Sequence, residues 1–336
     1  MKKSTYALTI LLLFVLLFGA ALAGICVGRL STNPMDVLNA IKSKLGIPVD
    51  IDEAMEIVVF SIRIPRVLAS IIIGAMLSLS GAVYQGVFRN PLVSPDILGV
   101  SSGASVGAAG AIMLGMGIAG RQVFAFLGGI IAVIIATAIP RLLKNHSNLM
   151  LVLSGIIVGG FLSSLLAIMK FIAEEQTELA TIVFWQMGSF ANINLKEIFA
   201  IGPAFFLGMV LLIGLSWRIN ILSFGEIEAK TLGMDVKKFR GIIIACASLL
   251  TAAAVSISGT VGWIGLVIPH LARLIVGSDH IKMIPVTVLL GAIFMCIIDT
   301  MARALMTVEI PLSILTGIIG APFYALLLYW QKANIS

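Results

Sequence analysis

The sequence predicts an all-α membrane protein, a ten-helix polytopic bundle, and three observations point there. Hydrophobic residues make up 60% of the 336 and charged residues only 11%, with a mean hydropathy of +1.12. A soluble domain carries about 25% charged residues. Apolar runs near the about 20 residues that a membrane-spanning helix needs recur along the chain, punctuated by charge, Gly and Pro. Lys and Arg also concentrate in alternate inter-run segments, as membrane topology demands.

The apolar runs place spans near 6–28, 64–84, 95–114, 122–140, 149–171, 197–217, 240–258, 263–276, 283–304 and 312–331, in a single domain covering 1–336. The first follows Met1-Lys2-Lys3 and resembles a secretory leader, but its run from Tyr6 to Val27 exceeds the core of such a leader, so an uncleaved first span is expected. The 29–62 segment holds Pro34, Pro48 and the acids Asp50, Asp52, Glu53 and Glu56, and predicts a solvated, partly helical loop outside the membrane. The inner segments carry most of the Lys and Arg and the outer ones are slightly acidic, which puts both termini in the cytoplasm. Asp96, Glu226, Glu228, Asp235 and Asp279 are the inner acids on this reading.

The third span carries Gly99, Gly103 and Gly107 at four-residue intervals, and Gly155 and Gly159 repeat the spacing on the fifth. Stripes of small residues let helix backbones approach closely in lipid, so both helices belong inside the bundle or at a pore. The inner segment 218–240 predicts a short projecting helix. Ser223 and Glu226 have capping-box spacing, which starts a helix at Ser223; Gly233 supplies a left-handed stop after Leu232, and Asp235 can cap the next helix. With Lys230, Lys237, Lys238 and Arg240 nearby, this is a docking element for a cytoplasmic partner. The eighth run is short and holds Pro269, His270 and Arg273, as a broken helix would. Ser80 to Val83 followed by Pro95 echoes Ser258 to Val261 followed by Pro269, running in opposite directions, in the manner of an inverted repeat.

Several chemistries are excluded. The net charge of +6 comes from basic residues scattered through short loops, not a block suited to nucleic acid. Gly103 to Gly107 fits G-x-S-x-G, yet lies inside a glycine-striped span and not on a strand–turn–helix elbow. An intramembrane hydrolase using Ser105 is therefore a remote alternative. His146, His270 and His280 are isolated, and Cys26, Cys246 and Cys296 lack ligand spacing, so neither metal nor cofactor is expected. The chain has no phosphate-binding loop, so it cannot alone be a P-loop ATPase. An ion-gradient transporter is the main alternative reading, but the ionisable residues fall almost wholly near helix ends. Arg63 and Arg66 stand at the outer mouth of one span, Asp299 and Arg303 near the outer end of another, at a spacing that allows a helical ion pair. Either they anchor the interface, or they form a ring of outward-facing guanidinium groups suited to a partner's carboxylates.

Several stretches, taken together, resemble the FecCD family of importer permeases for iron-siderophore, haem and vitamin B12 uptake. They are Arg63 to Arg66, Ser80 to Gln85, Asn90 to Val100 leading into Ser102 to Ser105, Trp185 to Ser189, Gly265 to His270, and Pro311 through Gly320 to Pro322. The resemblance implies a homodimer of ten-helix subunits, the type II ABC importer permease architecture. It also implies two ATP-binding subunits on the 218–240 segment, centred on Ser223, Glu226, Glu228, Leu232 and Gly233, and a substrate-binding protein outside. Arg63, Arg66 and Arg303 match the outer arginines that receive the binding protein's glutamates. The helix starting near Leu149 matches the gating helix and His146-Ser147-Asn148 the inner gate, with Gly99 and Gly103 along the pathway. The cargo expected is an iron chelate or a cobalamin-like molecule, with oxyanions such as molybdate also compatible. No covalent chemistry is expected of the permease itself.

Overall fold

A computed structural model describes residues 2–28, 32–49, 52–145 and 147–333, and among these the regular structure is helical throughout. In chain order the helices are α1 (Lys3–Cys26), α2 (Pro34–Lys44), α3 (Glu53–Ile57), α4 (Ile64–Phe88), α5 (Val100–Met113), α6 (Ile118–Leu142), α7 (Asn148–Ile172) and α8 (Ala180–Met187). There follow α9 (Leu195–Gly214), α10 (Ser216–Phe224), α11 (Glu226–Thr231), α12 (Val236–Ser258), α13 (Ile264–Val276), α14 (His280–Ala304) and α15 (Leu312–Ala333). Seven expected spans coincide with helices long and apolar enough to cross a membrane. The other three correspond to shorter apolar helices: α5, α13, and α15 over Leu312–Leu327.

The bundle is organised around α4, buried along almost its whole length, whereas α1 lies on the periphery with Leu13 and Gly24 its buried residues. Small residues explain how so many helices reach α4. A β-carbon on Gly74 would run into the Gly291 carbonyl of α14, and one on Gly81 into the Gly265 carbonyl of α13. Hydroxyls add polar links across the same seams: Ser80 Oγ lies 2.7 Å from Thr251 Oγ1, and Tyr84 Oη 2.6 Å from Ser248 Oγ, both on α12. Such contacts matter in lipid because apolar surface alone gives helices no preference for one another over acyl chains.

The glycine stripe of α5 packs as a helix seam, but against a neighbour that removes part of it from any pathway. Gly103 and Gly107 meet the backbone of α6 at Gly128 and Phe124, where no side chain fits. Gly103 is thus an intrasubunit packing residue, which corrects its expected place on the pathway. Gly99 (φ +76°) lies just before α5 and faces Gly159 of α7 at ordinary contact distance.

The segment from 89 to 99 also departs from expectation. It is irregular, so α5 begins at Val100 and not near residue 95. Its first residues, Arg89 to Leu92, stay exposed, with Arg89 beside Gly225, but Pro95 turns into the bundle and packs on Gly265, which in turn touches the Leu77 carbonyl midway along α4. Outside the bundle, α2 and α3 fold over the end of α1, with Val37, Ala40 and Val59 clustered on Ile25, Cys26 and Phe60. From α3 the chain runs through a π-helical stretch, Val58–Arg63, directly into α4.

Candidate functional site

Two polar clusters occupy opposite ends of the molecule, and α14 connects them. Its first turn carries Asp279 at the N-cap and its last turn Asp299 and Arg303. At 1.5 Å per residue the two aspartates are about 30 Å apart along the helix, roughly the thickness of a bilayer's hydrocarbon core.

At the Asp299 end, termed outer after the orientation expected from the charge pattern, with the Asp279 end termed inner, the wide turn before α4 brings Arg63 and Arg66 against α1 and α14. Arg66 Nη2 donates to Asp299 Oδ1 at 2.8 Å and its Nη1 to Glu309 Oε1 at 2.8 Å. Arg303 Nε donates to the other oxygen of Asp299 at 3.1 Å, closing the expected four-residue pair. Asp299 thus balances two guanidinium groups from its two oxygens. The remaining donors go to the end of α1: Arg303 Nη2 reaches the Gly24 carbonyl at 2.9 Å, and Arg63 Nη1 the carbonyls of Ile25 at 2.6 Å and Cys26 at 2.9 Å. The last carbonyls of a helix have no partner within it and carry partial negative charge, so arginines are apt caps there. Arg63 also donates to the hydroxyl of Thr32.

All three arginines are therefore buried and engaged, with Arg63, Arg66 and Arg303 only 3%, 2% and 6% exposed. The outward-facing guanidinium ring is corrected accordingly, because apposed carboxylate and carbonyl oxygens inside the protein meet their donors first. Glu309, 31% exposed, is where the cluster reaches the surface.

At the inner end, Ser223 does not start a helix. It sits in the last turn of α10, and its hydroxyl donates to the Asn220 carbonyl at 2.7 Å. Gly225 breaks the chain instead, at φ 147°, a backbone angle that a side chain rarely adopts, and the projecting helix α11 begins at Glu226. The remainder follows expectation: Gly233 is left-handed at φ +73°, and the Asp235 carboxylate accepts from the Lys238 backbone N–H at 3.0 Å, capping α12. Glu226 pairs with the largely buried Arg240 on α12, fixing α11 to the membrane-embedded part. Against that anchor, Ile227 and Leu232 are 79% and 65% exposed, with Phe224 beside them at 72%. Exposed large apolar residues on and flanking a short projecting helix mark a contact surface. The exposed Glu228 carboxylate lies beside Gly225.

A polar relay ties α10 to α14. Asn220 Nδ2 donates to Asp279 Oδ1 at 2.7 Å, and the His280 backbone N–H donates to Asn220 Oδ1 at 2.8 Å. Isolated residues 59 and 60 positions apart gave no signal of this in the sequence. Of the expected gate residues, Ser147 is the N-cap of α7, accepting from the Met150 N–H at 3.2 Å, and Asn148 Nδ2 donates to the Val87 carbonyl in the last turn of α4 at 3.1 Å. His146 lies outside the described residues.

Two cavities complete the picture. One of about 660 Å³ lies at the outer end between α6, α8 and the loops after α12 and α14, lined by Gln122, Gln176, Ser189, Asn192, Ser258 and Glu309 among others. Another of about 440 Å³ lies where the 89–99 segment meets the start of α13.

The model of the FecCD transport family matches residues 11–330. The molybdate import system permease protein MolB of Haemophilus influenzae is 39% identical over 332 residues, covering 99% of this chain and 98% of the relative. The cobalamin import system permease protein BtuC of Halobacterium salinarum is 38% identical over 302 residues, covering 90% and 80%. A solved structure assigned to the metal-chelate type of ABC transporter, in an inward-facing conformation, superposes with a TM-score of 0.86 at 39% identity, covering 95% of this chain and 98% of that one. A match across nearly the full length of the sequence and of the fold leaves one conclusion: the chain belongs to the FecCD transport family, the membrane permeases of ABC importers.

Proposed function

We propose that this permease acts as a homodimer with both termini in the cytoplasm and all ten apolar helices in the membrane. It takes an iron chelate or a cobalamin-like cargo from a soluble binding protein and moves it inward by alternating access. Two copies of a separate ATPase subunit drive the change by docking on the 218–240 segment. The observation that carries the reading is the exposed set Phe224, Ile227 and Leu232 on and around the short helix α11, which Glu226 anchors to Arg240, at the opposite end of α14 from the arginine cluster.

The relay Asn220–Asp279–His280 gives a physical route for the stroke, because a displacement of α10 and α11 is passed by hydrogen bonds to the start of α14. Asn148 links the start of α7 to the end of α4 at the same surface, and Ser147 holds the first turn of α7, so the gate opens by shifting this junction. On the outer side, a carboxylate of the binding protein displaces Glu309 from Arg66, while Arg63 and Arg303 hold the underlying surface. Ligands shift such a two-state system only through differential affinity for the two access states.

For the cargo, relatives are named for molybdate and for cobalamin, and the solved neighbour for metal chelates. The 660 Å³ outer cavity combines apolar walls such as Phe184 and Trp185 with amides, hydroxyls and the charged Arg121, Glu197 and Glu309, which suits a bulky chelate with hydrogen-bonding groups. Reconstitution with the neighbouring ATPase and binding protein in proteoliposomes tests the function: ATP-dependent accumulation of cargo supports it, and accumulation driven by an ion gradient without ATP overturns it.

A further inference from the structure

Asp96 stands in an unusual place for a carboxylate. The 440 Å³ cavity is lined by Leu77 of α4, Thr251 and Val255 of α12, Ser313 of α15, and the facing segments around Pro95 and Trp263. Leu77 is about 20 Å from the outer end of α4 and about 17 Å from its inner end at 1.5 Å per residue, so this cavity is at mid-height of the bundle. Among the described residues that line it, Asp96 alone carries a charge, and the rest offer hydroxyls, backbone and apolar surface. Its carboxylate accepts the Ser101 backbone N–H at 2.7 Å and also pairs with the Ser101 side chain, while lining the cavity.

A bland role exists, since the hydrogen bonds to Ser101 in the first turn of α5 resemble a cap. Asn or Ser would serve there equally well without placing a charge at mid-membrane depth, where ionisable groups are costly and, as a rule, functional. The opposite wall is strained as well: Trp263 adopts φ +68°, an outlier for a bulky residue, and its Cβ abuts Gly320 of α15. Strain of about 1–3 kcal/mol persists where the surroundings impose it, and such positions cluster at functional sites.

We propose that this cavity is a way-station of the transport path and that Asp96 is its charge-selecting residue, favouring cationic or uncharged metal chelates and disfavouring oxyanions. The proposal rests on the importer reading and narrows its cargo. A single-sign charge in a low-dielectric cleft concentrates ions of opposite sign and excludes those of its own. The Ser313 hydroxyl then offers a neutral hydrogen bond to an uncharged ligand, while those of Thr251 and Thr260, which donate to the Ala247 and Gln186 carbonyls, can accept one.

The test measures the charge preference of the cavity without transport. In full-length permease bound to its ATPase subunits, with Cys26, Cys246 and Cys296 replaced by Ser, a Ser313→Cys thiol reports on the cavity. It is labelled with a trimethylammonium-bearing and with a sulfonate-bearing methanethiosulfonate. Relative to a free thiol, the cationic reagent should react faster by about tenfold; Asp96→Asn should abolish that preference, and Asp96→Glu should keep it. A preference unchanged by Asp96→Asn, or a thiol inert to both reagents, overturns the proposal. Labelling needs no cargo, so failure of the importer reading shows separately, as absent ATP-dependent uptake with the charge preference intact.

Discussion

Arg66 on α4 and Asp299 on α14 meet at 2.8 Å with side chains only 3% and 1% exposed, and Asp299 spends its second oxygen on Arg303. One carboxylate thereby holds two buried cations, Glu309 supplies the second negative charge through Arg66, and Arg303 also caps the end of α1. The outer ends of three helices depend on one acid.

That dependence predicts an order of stabilities. Asp299→Asn strands Arg303, leaves Arg66 with Glu309 alone, and should cost about 3–5 kcal/mol, the range for breaking a buried ion pair. Arg66→Met or Arg303→Met leaves Asp299 with its other partner and should cost distinctly less. Thermal unfolding in detergent, followed by loss of monodispersity, gives the ranking; Asp299→Asn melting with or above the arginine variants would contradict it.

Glu309 is the exposed competitor for Arg66. Replacing it by Ala frees Arg66 Nη1 for a carboxylate from outside, so the binding protein should dock about twofold to tenfold more tightly, the range of an ordinary net hydrogen bond. Surface plasmon resonance against permease in nanodiscs measures this. Weaker docking would show that Glu309 itself contacts the partner, and unchanged affinity that docking lies elsewhere.

The external layer has a pH dependence of known sign. Lys44 and Ser43 hydrogen-bond the Glu56 carboxylate and hold its pKa below the ordinary glutamate value. A lowered folded pKa contributes stability that is complete at neutral pH and is lost as pH falls through that pKa. Wild type should therefore melt slightly above Glu56→Gln at neutral pH, and the two should converge in acid. The exposed setting keeps the difference small. A gap that widens in acid would refute the assignment.

Much of this molecule could be read from its sequence, and the residues show why. Apolar length locates helices because lipid imposes it, so the long spans align with α1, α4, α6, α7, α9, α12 and α14. Local backbone chemistry was equally legible where the residue itself decides, as at Gly233 and Asp235. It misled at Ser223, where capping-box spacing was overridden by Gly225, whose angles admit a helix break that no serine cap requires. Burial of Arg63, Arg66 and Arg303 was invisible because their partners lie on α1, on α14 and in the loop before α15, tens to hundreds of residues away. Asp96 was misplaced at the inner surface for a related reason. Apolar runs carry no signal that a loop turns back into the bundle, and the packing of Pro95 on Gly265 does.

The central claim is that a separate ATPase drives this permease through α11. ATP-dependent cargo uptake by the reconstituted complex, compared between wild type and the Ile227→Glu, Leu232→Glu double variant, tests it most directly. Both side chains are exposed, so the permease should fold and bind the binding protein normally. Loss of two apolar anchors at about 1.5–3 kcal/mol each should reduce ATPase association and uptake at least tenfold. Uptake at the wild-type rate with the ATPase still bound would contradict the account.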